Sequence, residues 1–349
     1  MVFSTNEIIL NSQRNVSLTT ILHSVDPDLG QITKRPAVLI MPGGAYAVCS
    51  GREAEVVAYP YLAAGFHAFV LRYSVAEHRV WPNPINDYEA AMALIREKQD
   101  EWNVMPDKVA VIGFSAGGHL AAIAATNAKT RPAAAIIGYG ALTKEVVDLC
   151  GPNMPYPVDC VDDDTCPCFL FAARDDSTVP VFNTIDFQRA LYDHSISFEA
   201  HIYAYGEHAF STAVPALSIS SMCSRVSRWV NDSIEWLYDV LGEWTSTGLA
   251  EPRCKRKTDA NSEKFLSIDC TVNYLKNQPD AQAVLVDIYA AVDQIAKAQF
   301  GGEEAGAALL TGLKTLTLRN LLSTLQLPQE SVQKIDLALS QILNKREGR

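Results

Sequence analysis

Gly113-Phe114-Ser115-Ala116-Gly117 sets one serine between glycines two residues away on either side. A serine hydroxyl is a weak nucleophile near neutral pH. It does covalent chemistry only with a general base beside it, an acid to orient that base, and N–H donors for the oxyanion that develops. The G-x-S-x-G spacing meets a mechanical condition for this: glycines at those two places let the chain turn sharply out of a strand and into a helix, presenting the hydroxyl at the turn. Taken alone, the pentapeptide fits equally well a glycine-rich helix start that binds phosphate or merely packs tightly. The rest of the chain must supply the partners.

Seven histidines compete for the role of base. His67 lies at the approach to a strand, His201 within one, His194 near a helix end, His23 in the N-terminal region and His78 in a polar loop. His119 stands four residues along the helix that begins after Ser115, one turn away from it, where packing or capping is its expected part. His208 differs, because it follows the alternating strand 198–204 and comes after both the serine and an acid pair, Asp175-Asp176, which itself follows the apolar run 168–173. Upstream, the apolar run 37–41 leads into Pro42-Gly43-Gly44-Ala45-Tyr46. A glycine pair straight after a strand leaves backbone N–H groups free to meet negative charge, so Gly44 and Ala45, together with Ala116, are the expected oxyanion donors, ahead of Gly43.

Elements that could hold these residues alternate along the first 245 positions. A polar-alternating N-terminal stretch suits antiparallel edge strands. After it the pattern predicts a strand to 41, helix 53–64, strand 68–73, helix 85–101, strand 109–114, an alanine-rich helix 116–127, strands 133–137 and 168–173, helix 184–194, strand 198–204 and helix 225–241. Such alternation builds a doubly wound, mostly parallel sheet with helices on both faces. Between 139 and 167 lies a proline-rich irregular stretch where a cap or lid fits, and Met154, Tyr156 and Val158 within it are candidate pocket residues, joined by Tyr46 and Trp81.

The segments MPGGAY, REAEVVAYPYLAAGFHAFVLRYSV, GFSAGGHLAA, RDDSTVPVFNTIDFQRAL and HIYAYGEHAFS together resemble the α/β-hydrolase superfamily, and within it the acetyl-xylan-esterase-like carbohydrate esterases and their hormone-sensitive-lipase-like relatives. The resemblance runs over about residues 5 to 245, some two thirds of the chain. It implies an α/β-hydrolase fold and a Ser115-His208-Asp176 esterase that needs neither metal nor organic cofactor. Asp176 is preferred to Asp175 because Asp-x-x-Val-Pro matches the loop such enzymes carry. The chain departs from the pattern at Ala45, where many relatives have a third glycine. The same triad also serves feruloyl esterases, arylformamidases and serine peptidases, and an idle fold used for binding is the reading from another class.

The 349 residues have room for one large α/β domain and something smaller. A hydrophobic content of 48%, a charged content of 20% and a net charge of −11 are those of an ordinary globular protein, and the acidic balance argues against nucleic acid or an anionic membrane as partner. The N-terminal MVFSTNEIILNSQR lacks a basic start and an apolar core, so a cytoplasmic location is expected. Of the eight cysteines, Cys150, Cys160, Cys166 and Cys168 share a stretch with Asp162, Asp163 and Asp164, but without a C-x-x-C pair they are expected to be reduced structural thiols rather than a metal or disulfide site. The polar stretch 246–267 reads as a linker, and 268–349 as a small all-α module, with Leu285, Ile288, Val292 and Ile295 on one helix face and Val332, Ile335, Leu339 and Ile342 on another. It holds no catalytic constellation; stability is its expected role, and self-association a further one. The expected partner of the first domain is a small-molecule or oligosaccharide ester.

Overall fold

The computed structural model describes residues 3–25, 32–214, 222–300 and 315–344. It divides into two compact units, residues 1–256 and 257–349.

The first unit is built on an eight-stranded sheet. Its strands are β1 (Phe3–Asn11), β2 (Val16–His23), β3 (Arg35–Met41), β4 (His67–Arg72), β5 (Val104–Phe114), β6 (Ala134–Gly138), β7 (Cys168–Ala173) and β8 (Phe198–Tyr203), in the order β1-β2-β4-β3-β5-β6-β7-β8. β1 and β2 run antiparallel to each other, and β2 antiparallel to β4, while every pair from β4 to β8 is parallel. The central strands read as unbroken apolar runs because both of their faces are covered. Alternate residues go to opposite sides: Ala37, Leu39, Val109 and Val111 join one core, and Val38, Ile40, Ala110 and Ile112 the other.

Helices α1 (Glu55–Ala63), α2 (Asn83–Glu97), α3 (Ala116–Asn127), α4 (Lys144–Cys150), α5 (Phe182–Asp193) and α6 (Arg228–Leu241) complete the layers. Sequence explains which face each buries. On α2, Ile85, Tyr88, Met92 and Ile95 recur at spacings of three and four and turn inward. α6 buries Trp229, Ile234, Leu237 and Leu241, with the Trp229 ring stacked on Phe171 of β7 at 4.1 Å between centroids. α3 is buried nearly all round, and its small residues allow the approach: a Cβ at Gly117 would lie 2.1 Å from the Met41 carbonyl oxygen. The glycines of the pentapeptide are thus fixed by contact as well as by the turn, since a Cβ at Gly113 would meet the Gly117 carbonyl at 2.1 Å.

Residues 246–267, read as a linker, are structured along most of their length. Leu249 pairs with Trp244 in a two-stranded ribbon and the Arg256 carbonyl accepts from the Ser197 N–H, whereas Ala260 and Leu266 are core residues of the second unit. That unit contains α7 (Val272–Lys276), α8 (Gln282–Phe300), α9 (Leu318–Thr324) and α10 (Gln329–Leu339). Leu275, Leu285, Ile288, Leu318, Leu322 and Leu339 form its core, and Thr271 and Thr317 cap α7 and α9 by accepting from the N–H groups of Tyr274 and Asn320. Ile295, expected on the apolar face of α8, is exposed.

No helix among the described residues is long and apolar enough to cross a membrane.

Candidate active site

Ser115 sits between the end of β5 and the start of α3, with φ 52° and ψ −115°. A non-glycine residue holds such a conformation only when its surroundings over-determine it, at a cost on the order of 1–3 kcal/mol. Here they do so through the backbone: the Ser115 N–H donates to the Gly138 carbonyl at 3.0 Å, and the Ser115 carbonyl accepts from the N–H groups of His119 and Ala141. The hydroxyl is thereby lifted off the C-terminal edge of the sheet.

The loops after β7 and β8 reach the same edge. Asp176 follows β7, with its side chain fully buried. One carboxylate oxygen accepts from the N–H groups of Thr178 and Val179 at 2.9 and 2.8 Å, and the other faces His208 Nδ1 at 2.6 Å. With Nδ1–H donating to the carboxylate, His208 Nε2 is left to accept from the Ser115 hydroxyl at 2.9 Å. Asp175 has a different task, accepting from the N–H groups of Gly206 and Glu207 and so tying the His208 loop to the acid loop.

The other histidines are engaged elsewhere. His67 Nδ1 accepts from the His23 N–H, the His23 ring bonds the Phe66 carbonyl, and His201 pairs with Glu199. His194 lies near Asp163 and His78 near Glu77. His119 is fully buried, donating from Nε2 to the Pro155 carbonyl at 2.9 Å and accepting at Nδ1 from Tyr46 at 2.7 Å; burial holds its pKa down to about 4.

The loop after β3 packs directly against the serine, since a Cβ at Gly43 would lie 3.1 Å from Ser115 Cβ. The Gly43 N–H is spent on Glu53 Oε2 at 2.9 Å. By contrast, the N–H groups of Gly44 and Ala45, and that of Ala116 at the start of α3, enter no hydrogen bond among the described residues. The adjoining carbonyls fix their directions: Gly43 C=O accepts from the Ser50 N–H, and Gly44 C=O from those of Ala47 and Val48. In a planar trans peptide the N–H points opposite to its C=O, so these bonds aim the Gly44 and Ala45 N–H groups to the other side.

The five candidate pocket residues divide. Tyr46 is 0% and Met154 4% exposed, so neither presents surface to a ligand in this structure; Tyr46 instead joins its loop to His119, and Met154 belongs to the core. Trp81 lines a cavity of about 410 Å³ with Pro82, Ile85, Ile123 and Asn127. Tyr156 lines one of about 380 Å³ with Val158 and Arg189, its hydroxyl donating to Asp148. A larger hollow of about 510 Å³, lined by Arg131, Ala133, Pro167 and Arg256, lies where β6 and β7 begin, at the edge of the sheet opposite Ser115.

The cysteines of the described residues are unpaired thiols, and no group of three His, Cys, Asp or Glu among those residues is placed to hold a metal ion. Asp162 and Asp164 are engaged by Arg131 and Arg256.

The sequence reading missed Glu53, Tyr139 and Ser211. Glu53 accepts from Tyr139 through Oε1 at 2.6 Å as well as from Gly43, and the Tyr139 oxygen accepts from the Ser211 N–H at 3.0 Å. The only sign of this in the sequence is an acid at the start of a predicted helix, which also reads as an ordinary first-turn residue.

The family described as BD-FAE matches residues 27–153. The chain is similar in structure to an α/β-hydrolase enzyme from a Medee basin deep-sea metagenome library, with 38% identity, a TM-score of 0.64, and 68% of this chain and 98% of that one covered. It is 30% identical over 216 residues to the endo-1,4-beta-xylanase B of Butyrivibrio fibrisolvens, which covers 52% of this chain and 33% of the relative. It is 26% identical over 202 residues to the acetylxylan esterase of Xylanibacter ruminicola, covering 50% and 41% respectively. The matches thus span only a third to two fifths of these two curated relatives.

Proposed function

The chain belongs to the α/β-hydrolase family, and from that premise we propose that it is a serine esterase that removes short acyl groups, acetyl first among them, from a carbohydrate or similar alcohol. The observation that carries this is one continuous relay, Asp176 to His208 to Ser115, ending on a hydroxyl held at a strained turn beside N–H groups that enter no hydrogen bond among the described residues.

In the proposed reaction Ser115 Oγ attacks the ester carbonyl carbon while His208 Nε2 takes its proton. The carbonyl electron pair moves onto oxygen, where the N–H groups of Ala116 and of Gly44 or Ala45 meet it. When the pair returns, the bond to the alcohol breaks and the alcohol leaves with the proton from Nε2. Water, deprotonated by His208, then attacks acyl-Ser115 and releases the acid. Asp176 keeps His208 in the tautomer this needs and stabilises the imidazolium formed in each half-reaction. The preference for acetyl and for carbohydrate is supported by the acetylxylan esterase and xylanase among the relatives. The unpaired thiols suit a reducing, cytoplasmic compartment.

Acetate release from acetylated xylooligosaccharide tests the proposed substrate. Release by the wild type and none by Ser115→Ala is the expected result, and a folded wild type that leaves the acetyl groups in place would remove carbohydrate from the proposal.

A further inference from the structure

We propose that Glu53 and Tyr139 form a buried strut that holds the oxyanion loop and the His208 loop in register, which makes both of them positioning residues for the esterase reaction. The inference rests on the Ser115 mechanism proposed above.

Glu53 lies in the turn Gly51–Glu53 and is 3% exposed. Its two oxygens face two different loops: Oε2 takes the Gly43 N–H, and Oε1 takes the Tyr139 hydroxyl, whose oxygen takes the Ser211 N–H. Ser211 closes the circuit, because its own hydroxyl donates to the carbonyl of Arg52, the neighbour of Glu53. The Tyr139 ring stands edge-on against His208, 5.0 Å between centroids at 69°.

Each end of the strut meets a segment that needs holding. At one end Gly43 is bound through N–H by Glu53 and through C=O by Ser50, and its orientation decides where the Gly44 N–H points. At the other, Glu207, Ala209, Ser211 and Ala213 all have positive φ, between 51° and 61°, a succession that non-glycine residues do not keep unaided. His208 is carried within it, between Glu207 and Ala209.

The chemistry at position 53 has to be that of a carboxylate. Both of its oxygens accept, and the Tyr139 oxygen already accepts from Ser211. A glutamine would place its NH₂ against either the Gly43 N–H or the tyrosine hydroxyl, and one buried donor would lose its partner in either case. Burial pushes the Glu53 carboxyl up, while the donors from Tyr139 and Gly43 and the nearby His208 pull it the other way.

The test compares Glu53→Gln, Tyr139→Phe and the double variant with wild type and Ser115→Ala. It measures kcat and KM for p-nitrophenyl acetate, and the downfield proton resonance of His208 Nδ1–H. Each single variant is expected to lose about 10²-fold in kcat, the scale of one oxyanion-hole donor. KM should stay within about threefold, and the double variant should be no worse than the poorer single, as members of one network behave. Should Glu53→Gln fail to fold, Tyr139→Phe carries the test. Turnover within about threefold of wild type in both variants, with Ser115→Ala inactive, would overturn the strut and leave the esterase standing. If the folded wild type turns over no ester, the esterase proposal fails instead, and the resonance decides: a shift in the variants supports the strut and an unmoved one overturns it.

Discussion

Two adjacent aspartates with different partners show how a single position divides orientation of a base from construction of a loop. Asp176 faces His208 Nδ1, and Asp175 faces the backbone before it. In the proposed mechanism, Asp176→Asn should lower kcat by about 10⁴-fold, because the amide favours the wrong imidazole tautomer. Asp175→Asn should cost far less, since its amide oxygen can still accept from Gly206 and Glu207; steady-state kinetics of the two variants checks the order, and equal losses would contradict it. The serine, the histidine and the acid that the structure brings together could be picked out in the sequence because each lies at the end of a predicted strand. It could not place Tyr46 or Met154, since an aromatic or methionine side chain close to a site in sequence turns to the core or to a ligand according to tertiary packing alone. Glu53 was hidden for a related reason: its partner Tyr139, and Ser211 which Tyr139 bonds in turn, are 86 and 158 residues away, and no local pattern joins them.

At the scale of the element, the junction between β5 and α3 depends on contacts with no room for a methyl group. A Cβ at Gly117 would lie 2.1 and 2.5 Å from the Met41 and Pro42 carbonyl oxygens, which are backbone atoms that cannot swing aside. Gly117→Ala is therefore expected to destabilise the protein by about 3 kcal/mol, at the upper end for overpacking, even though alanine is the better helix former. Thermal unfolding checks this, and a midpoint equal to wild type would show that the loop after β3 is freer to move than its packing implies. These strands and helices were legible because apolar runs and periodic faces are local signals. The tie from 246–256 back to the first unit was not, since a polar segment that pairs through its backbone looks like a tether.

Across the whole molecule, buried neutral histidines make stability depend on pH. Burial holds His67 down to about 3 and His119 down to about 4, against an ordinary value of 6.5. Between those limits the unfolded chain takes up protons that the folded chain refuses. Their contribution is complete above pH 6.5 and is lost as the pH falls through that window, at up to about 1.4 kcal/mol per pH unit for each group. Glu53 has the opposite sign, since its raised carboxyl pKa favours the folded state where it is protonated and the advantage is lost as the pH rises. The thermal midpoint should fall from pH 6.5 to 4, and fall less steeply in His119→Gln. Parallel profiles for the two proteins would show that His119 is protonated without cost.

The most direct measurement of the central claim is hydrolysis of p-nitrophenyl acetate, butyrate and octanoate by wild type and Ser115→Ala. Turnover that is fastest on acetate and abolished by the substitution is the predicted result. A folded wild type without turnover, or turnover that survives in Ser115→Ala, would contradict it.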